Sequence, residues 1–150
     1  GIKKYYIKRI ILSHMNAIGL YRIEHWCYLK KIPIFPKLIH SLIFLLFNSH
    51  IPASCTIGKG TRFGYGAIGV VIHSNAIIGK NCIIGTNVTI GGRGRPGVPI
   101  IGDNVYISTG AKVLGPINIG NNVTIGANAV VITDVVDNAI VGGVPARILK

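Results

Sequence analysis

Aliphatic residues recur at every sixth position along most of this chain. The hexads open at Ile51, Ile57, Phe63, Ile72, Ile78, Ile84, Ile90, Ile101, Ile107, Val113, Ile119, Ile125 and Val131. The second position is usually Gly, and the fifth is small or β-branched. This spacing matches neither the helical period of about 3.6 residues nor the alternation of a hairpin strand. It is typical of a parallel β-helix, in which three short strands and three corners complete one triangular coil.

The geometry of such a prism accounts for the residue types. The first residue of each hexad points inward and stacks on its equivalents in neighbouring coils, while the fifth faces an interior with little room. Gly at the second position relieves the corner, where positive φ or close backbone packing would penalise a Cβ. Each coil buries its apolar face only against its neighbours, so stability accumulates along the axis.

Two segments interrupt the sixfold spacing. The first, 64–71, separates Phe63 from Ile72 by nine residues, and the second, 91–99, separates Ile90 from Ile101 by eleven. The second is too rich in Gly and polar residues for a strand, so it should leave the prism as a loop. Functional residues concentrate on loops that a rigid scaffold positions, and we expect the site at these two segments.

The residues before the hexads show a helical pattern. Apolar positions over 3–31 recur at spacings of three and four between basic residues, with a break at Gly19. Pro33 and Pro36 indicate a turn, and a second helix should run from about Lys37 to Phe47. We therefore expect a basic and apolar helical segment, 1–50, that caps the open end of a β-helix domain, 51–150. Contact of residues 1–50 with a membrane surface is a compatible alternative.

Composition narrows the class of partner. The net charge of +12 arises from 16 basic against 4 acidic residues, which attracts polyanions. No nucleic-acid motif accompanies the charge, so phosphate-bearing small molecules and membrane surfaces rank above nucleic acid. No apolar stretch reaches the roughly 18 residues of a spanning helix. Cys55 and Cys82 occupy inward fifth positions, which indicates core packing in a reducing cytoplasm, and no residue spacing suggests a metal site.

His73 is the first candidate for chemistry. It stands at a second position, where most hexads carry Gly, and it directly follows the first interruption. Imidazole titrates near neutrality and can accept a proton from a hydroxyl, as a general base must. Its orienting partner is open: a backbone carbonyl, Asn75 or a residue of another subunit. The other histidines, His14, His25, His40 and His50, are expected to be surface or packing residues.

The second interruption supplies positive charge. Arg93 and Arg95 offer two guanidinium groups on a Gly-rich loop, which suits a lid over an anionic ligand. Together with Lys112 and Arg147 they could neutralise a ligand that carries several phosphates.

Several motifs together resemble a known family. The Gly-Gly loop after Ile90, the stretch 107–115 and the segment 143–147 (Gly-Val-Pro-Ala-Arg) resemble the left-handed β-helix acyltransferases, specifically the serine acetyltransferase-like branch. Residues 21–26 resemble the helix that precedes the β-helix in that branch. The resemblance implies left-handed coiling, acetyl-CoA as donor and a homotrimer with active sites between subunits.

The chain departs from that branch at two pairs. Serine acetyltransferases carry an Asp-His pair after the first coil and an Arg-His pair in the extruded loop, where this chain has Gly64-Tyr65 and Gly97-Val98. The stretch 63–73 more closely resembles the short acetyltransferases of surface-polysaccharide synthesis. That resemblance implies His73 as a shifted base and a sugar hydroxyl, free or lipid-linked, as acceptor.

The sequence thus predicts a cytoplasmic, homotrimeric, acetyl-CoA-dependent O-acetyltransferase that needs no metal and binds no nucleic acid. His73 would deprotonate the acceptor, and backbone N–H groups of Gly91 and Gly92 would stabilise the oxyanion. The expected donor-binding residues are Gly91, Gly92, Arg93, Ser108, Gly110, Ala111, Lys112, Gly126, Ala127, Ala129 and Arg147, and the expected acceptor-binding residues are Tyr65, Asn75 and Arg95. The alternatives are a serine O-acetyltransferase of cysteine biosynthesis and a non-catalytic β-helix that binds or assembles with a partner.

Overall fold

The computed structural model describes residues 16–150, in which two helices precede a series of short strands. Helix α1 spans Ala17–Leu29 and helix α2 spans Phe35–Phe47. The strands are β1 Thr56–Ile57, β2 Arg62–Phe63, β3 Val71–Ile72, β4 Ile77–Ile78, β5 Ile83–Ile84, β6 Thr89–Gly91, β7 Ile100–Ile101, β8 Tyr106–Ile107, β9 Lys112–Leu114, β10 Asn118–Ile119, β11 Thr124–Ile125, β12 Val130–Val131, β13 Ile140–Gly142 and β14 Arg147–Ile148.

The strands form three sheets, one for each face of a triangular prism. Face one is β1-β4-β7-β10, face two is β2-β5-β8-β11-β13, and face three is β3-β6-β9-β12. Every pair within these three series is parallel, and β14 adds to β13 in the antiparallel direction. The predicted left-handed parallel β-helix is confirmed.

The strand register shows how the two interruptions are accommodated. Ile72 pairs with Ile90, three hexads later, whereas Ile78 pairs with Ile101 across the second interruption. The second interruption therefore leaves the prism as a loop, as predicted. Phe63 pairs with Ile84 across the first interruption, so the inward column continues past both. The first interruption forms a tight turn over Gly64–Ala67, in which Tyr65 and Gly66 have positive φ.

The inward residues make one continuous core. The first-position side chains from Ile51 to Val131 are buried, and Cys55 and Cys82 are buried in the column as expected. Full burial of one such aliphatic side chain contributes roughly 1.5–3 kcal/mol. The prism is therefore held by its interior column.

Of the two reasons given above for Gly at the second position, positive φ is wrong and close backbone packing is confirmed. These glycines do not have positive φ; a Cβ on Gly58 would lie 2.5 Å from the carbonyl carbon of Gly79, and one on Gly85 would lie 2.6 Å from Thr109 N. Close packing of successive coils is thus the reason for Gly at five of these positions, Gly58, Gly79, Gly85, Gly102 and Gly120, whereas a Cβ on Gly91 would meet nothing within 4 Å. Positive φ falls instead on the fourth position, where Asn tolerates it; the residues are Asn81, Asn87, Asn104, Asn122 and Asn128, with Gly60 and Gly110.

The helices begin and end partly as predicted. Helix α1 starts after Asn16, whose side chain accepts a hydrogen bond from Ile18 N, and the rest of the predicted helix, 3–15, lies outside the described residues. The predicted break at Gly19 is wrong, because Gly19 lies in the first turn of α1 with open space around it. Helix α2 starts before Lys37 because Pro36 is accommodated in its first turn. It ends at Asn48 in the left-handed conformation.

Helix α1 is bonded to the first coil. The Tyr21 hydroxyl donates to Cys55 O over 2.5 Å, and the Arg22 guanidinium donates to the carbonyls of Ile57 and Gly58. Buried residues of both helices belong to the same hydrophobic cluster as the prism core. The division at residue 50 stays a prediction, since the helices and the coils share this core.

The second helix presents apolar side chains to solvent. Leu45 is 78% exposed, and Leu38 and Phe44 are exposed beside it. Within residues 16–150, no helix is both long and apolar enough to cross a membrane. The predicted contact of residues 1–50 with a membrane surface stays a prediction.

The packing of coils predicts unequal effects of alanine at two equivalent corners. Gly85→Ala should lower the free energy of unfolding by about 1–3 kcal/mol, because the new Cβ meets the backbone of Thr109. Gly126→Ala is the matched control, since its Cβ would lie 3.4 Å from Val141 O. Denaturant unfolding of both variants checks this, and equal stability of the two would contradict it.

Candidate active site

His73 lies in a cleft at the corner that follows face three. The cleft has a volume of about 370 Å³ and is lined by His50, Val71, Ile72, His73, Ser74, Thr89, Ile90 and Gly91. His73 N donates to Ile90 O over 2.8 Å, which fixes His73 one coil away from Gly91. The structure thus brings together the predicted base and one predicted oxyanion residue.

The His73 ring is held by a backbone group. Its Nδ1 accepts a hydrogen bond from Asn75 N at 3.1 Å, so the proton of the neutral ring lies on Nε2. Of the partners left open, Asn75 is the one in contact, through its backbone N–H. In this tautomer the Nε2–H group of His73 can donate a hydrogen bond, and the lone pair of Nδ1 already accepts from Asn75 N.

The extruded loop lies against the next coil. The side chain of Arg93 approaches Gly115, and Gly97 packs against Pro116 with φ near +105°. Arg93 and Arg95 are exposed, and within residues 16–150 no Lys or Arg side chain lies within 4.0 Å of an Asp or Glu carboxylate. The two guanidinium groups therefore face solvent without a carboxylate partner in this part of the chain.

The other predicted donor-binding residues lie mainly at the adjacent corner, between faces two and three. Ser108, Gly110, Gly126 and Ala127 occupy this corner, with Ala127 exposed. Ala111 and Ala129 are fully buried, because the fifth position faces the core; only their backbone could contact a ligand.

The remaining predicted residues lie apart from this corner. Lys112 lies on face three, where its Nζ donates to Asn87 O at 2.7 Å. Arg147 is exposed on β14 at the C-terminal end of face two. Tyr65 is 88% exposed in the turn over Gly64–Ala67, with φ of 48°.

A row of three side chains that sequence reasoning missed leads into the His73 cleft. Glu24 Oε1 lies 3.4 Å from His40 Nδ1, and His40 Nε2 lies 3.2 Å from His50 Nδ1. Glu24 and His40 line a second cavity of about 850 Å³, and His50 lines both cavities. The expectation that His40 and His50 are surface or packing residues stays a prediction. The available signal was Glu24, one of only four acidic residues, within an otherwise apolar and basic helix.

The environment of Glu24 is unusual for a carboxyl group. It is 1% exposed, and its Oε2 has no hydrogen-bond partner among the described residues. Burial raises the pKa of Glu24 to about 7, against a smaller lowering by the Ala53 backbone N–H. The three aspartates differ, because each accepts a backbone N–H from a neighbouring coil; they are Asp103, Asp134 and Asp137.

Burial also shifts the pKa values of other groups between the helices and the prism. Partial burial lowers the pKa of His50, with further lowering by the charges of His40 and His73. Burial raises the pKa of Cys55 to about 12, so this thiol stays protonated and serves as core. Within residues 16–150, no group of three or more His, Cys, Asp or Glu side chains could hold a metal ion.

Comparison with known proteins assigns the family. The model "Bacterial transferase hexapeptide (six repeats)" matches residues 99–133. The serine acetyltransferase of Bacillus subtilis (strain 168) is 35% identical over 150 residues, covering 98% of this chain and 69% of the relative. The chain belongs to the serine acetyltransferase family.

Other serine acetyltransferases match over less of their own length. That of Synechococcus elongatus is 40% identical over 137 residues, covering 89% of this chain and 56% of the relative. The structure of serine acetyltransferase in complex with coenzyme A from Brucella abortus strain S19 superposes with a TM-score of 0.84 at 34% identity, covering 89% of this chain and 54% of that one. The chain thus spans little more than half the length of these relatives.

The raised pKa of Glu24 predicts a specific pH dependence of stability. The folded chain keeps the proton up to about pH 7, whereas the unfolded carboxyl ionises near 4.5. The contribution of Glu24 is therefore fully present below pH 4.5 and is lost as pH rises through 7, on the order of 3 kcal/mol in total.

Glu24→Gln should remove this dependence, because an amide does not titrate in the range. Denaturant unfolding of the wild-type and Glu24→Gln proteins between pH 4.5 and 8 gives the difference in their free energies of unfolding. The opposite contribution of His50 is common to both proteins and cancels in this difference. A difference that stays constant between pH 4.5 and 8 would contradict the raised pKa.

Proposed function

We propose that this chain is an acetyl-CoA-dependent O-acetyltransferase with serine as its acceptor. Membership of the serine acetyltransferase family is the observation that carries the proposal. Two related structures are of serine acetyltransferase in complex with coenzyme A, from Brucella abortus strain S19, and in complex with serine, from Neisseria gonorrhoeae. These relatives favour serine over the sugar acceptor that the resemblance of residues 63–73 suggested.

The described residues fit a donor that carries phosphates. Arg93, Arg95 and Arg147 are exposed, and none of them is paired with a carboxylate among the described residues. Bound acetyl-CoA would supply the acetyl group as a thioester. Residues 91–93 and the corner at 108–110 and 126–127 flank face three, which gives an extended donor two points of attachment.

The His73 cleft supplies the acid–base chemistry. An imidazole takes the proton of the acceptor hydroxyl as its oxygen bonds to the acetyl carbon, and it returns that proton to the departing sulfur. Backbone N–H groups of Gly91 and Gly92 stabilise negative charge on the carbonyl oxygen. No metal is needed for this step.

A homotrimer is part of the proposal. Each face of the prism exposes aliphatic or aromatic side chains, including Val71, Ile77, Ile83, Ile100 and Tyr106. Contiguous exposed apolar patches of this kind mark association surfaces, and flat faces suit a second copy of the chain. The family resemblance implies that the active sites then lie between subunits.

A sugar hydroxyl is the second candidate acceptor. It is favoured by one observation: Gly64-Tyr65 and Gly97-Val98 stand where the resemblance places an Asp-His and an Arg-His pair. The groups expected to act on serine are thus absent from those positions, and Tyr65 is open to solvent.

Thiol release from acetyl-CoA identifies the acceptor. The full chain is assayed with serine, amino sugars, and nucleotide- or lipid-linked sugars. We expect serine-dependent release of CoA, with acetylation of the hydroxyl confirmed by mass spectrometry. Release with sugars alone would replace serine by the second candidate, and release with no acceptor would overturn the proposed activity.

Loss of His73 should impair turnover and spare donor binding. We expect His73→Ala to lower kcat by about 10²–10⁴-fold, with CoA affinity by calorimetry and assembly state by sedimentation unchanged. His25→Gln is the control, since His25 lines neither cavity. Wild-type kcat in His73→Ala would remove His73 from the reacting centre.

A further inference from the structure

We propose that Glu24, His40 and His50 form a proton relay that makes Nε2 of His50 the general base of the cleft, with His73 as a hydrogen-bond donor beside it. This inference rests on the proposed acetyl transfer, and it reassigns the base role from His73 to His50. His50 is the catalytic residue of the relay; Glu24 and His40 are positioning residues.

The contacts of His40 Nδ1 fix the tautomer of that ring. Its Nδ1 lies 3.4 Å from Glu24 Oε1 and 3.3 Å from the carbonyl oxygen of Ile51. A carbonyl oxygen can only accept, and so can an ionised carboxylate. Nδ1 of His40 therefore carries the proton, and its Nε2 keeps a lone pair.

The tautomer of His40 in turn fixes the tautomer of His50. His40 Nε2 lies 3.2 Å from His50 Nδ1, and the two rings meet edge to face at 87°. Because His40 Nε2 has the lone pair, His50 Nδ1 must donate. Nε2 of His50 is then unprotonated, and it has no hydrogen-bond partner among the described residues.

His73, in the same cleft, has its proton on the nitrogen that is unprotonated in His50. His73 Nδ1 accepts from Asn75 N, so its Nε2 carries the proton. The cleft thus holds two imidazoles with opposite capacities. His50 can take a proton from an acceptor hydroxyl, and His73 can donate a hydrogen bond to an oxygen that gains negative charge.

The proton balance of the relay closes on Glu24. The acceptor hydroxyl gives its proton to His50 Nε2, the Nδ1 proton of His50 moves to His40 Nε2, and the Nδ1 proton of His40 moves to Glu24 Oε1. The path reverses when the leaving sulfur is protonated. Burial raises the pKa of Glu24 to about 7, so its carboxylate is a better proton acceptor than an exposed one and can end the relay.

The groups around the row set its pH response. Lys37 and Tyr28 line the same cavity, Cys55 and Arg22 lie on the prism side of Glu24, and His73 influences His50. Arg22 is bound to the carbonyls of Ile57 and Gly58, and Cys55 stays neutral. Within the row, burial therefore acts in opposite directions: it raises the pKa of Glu24 and lowers that of His50.

Nitrogen NMR of the histidines tests the relay without reference to activity. In the full wild-type chain above pH 8, His50 Nε2 should resonate as an unprotonated nitrogen and His73 Nε2 as a protonated one. In Glu24→Gln the amide can donate to His40 Nδ1, which reverses both tautomers and should protonate His50 Nε2. A protonated His50 Nε2 in the wild-type chain would overturn the relay.

Enzyme kinetics test the role of the relay in acetyl transfer. We expect His50→Gln to lower kcat by about 10²–10⁴-fold, and Glu24→Gln to lower it at least tenfold and to move the acidic limb of the pH–rate profile, both with unchanged CoA affinity. Ser41→Ala is the control, because Ser41 lines the larger cavity but bonds only to Lys37 O among the described residues.

Two outcomes separate this inference from the proposed function. Wild-type kcat in His50→Gln, with activity lost in His73→Ala, would overturn the relay and leave acetyl transfer standing. Absence of acetyl transfer in the wild-type chain would overturn the proposed function, and the NMR result would then decide whether the relay exists.

Discussion

The stacking of inward aliphatic side chains, coil upon coil, constrains everything else in this protein. Ile72 pairs with Ile90, and Ile90 with Val113; a slip of one residue would turn each buried side chain outward. Extra residues can therefore leave the prism only at a corner. Both interruptions do so, and the His73 cleft forms beside the second of them. The column thus fixes the place of the site without supplying any of its chemistry.

The proposed relay depends equally on the two helices that precede the prism. Helix α1 carries Glu24 and helix α2 carries His40, and packing of both helices on the first coil brings these side chains onto His50. Burying a carboxyl group is unfavourable, and its raised pKa expresses that cost. A group retained at such a cost, next to a cavity and a cleft, suits a functional role better than a structural one.

The repeat pattern was sufficient to predict the three-faced prism, the register and both interruptions, because a buried column leaves its period in the sequence. It also located His73 and Gly91 at one corner. It could not reveal the contact of Glu24, His40 and His50, since the packing of helices on the first coil leaves no period. The choice of tautomer for His73 depends on a single backbone N–H of Asn75, which no pattern of side chains encodes. The fourth-position asparagines were visible as a pattern, but their left-handed conformation required the backbone.

The parallel ladder of face three also limits how the acceptor preference of the proposed enzyme could change. His73 and Gly91 stand on consecutive coils, so their separation along the axis follows the interstrand distance of about 4.8 Å. Substitution of neighbouring side chains cannot adjust that height in small amounts. Acceptor preference in this architecture should instead diverge through exchange of whole corner segments, such as 64–71 and 91–99, above an invariant vertical spacing of the reacting groups.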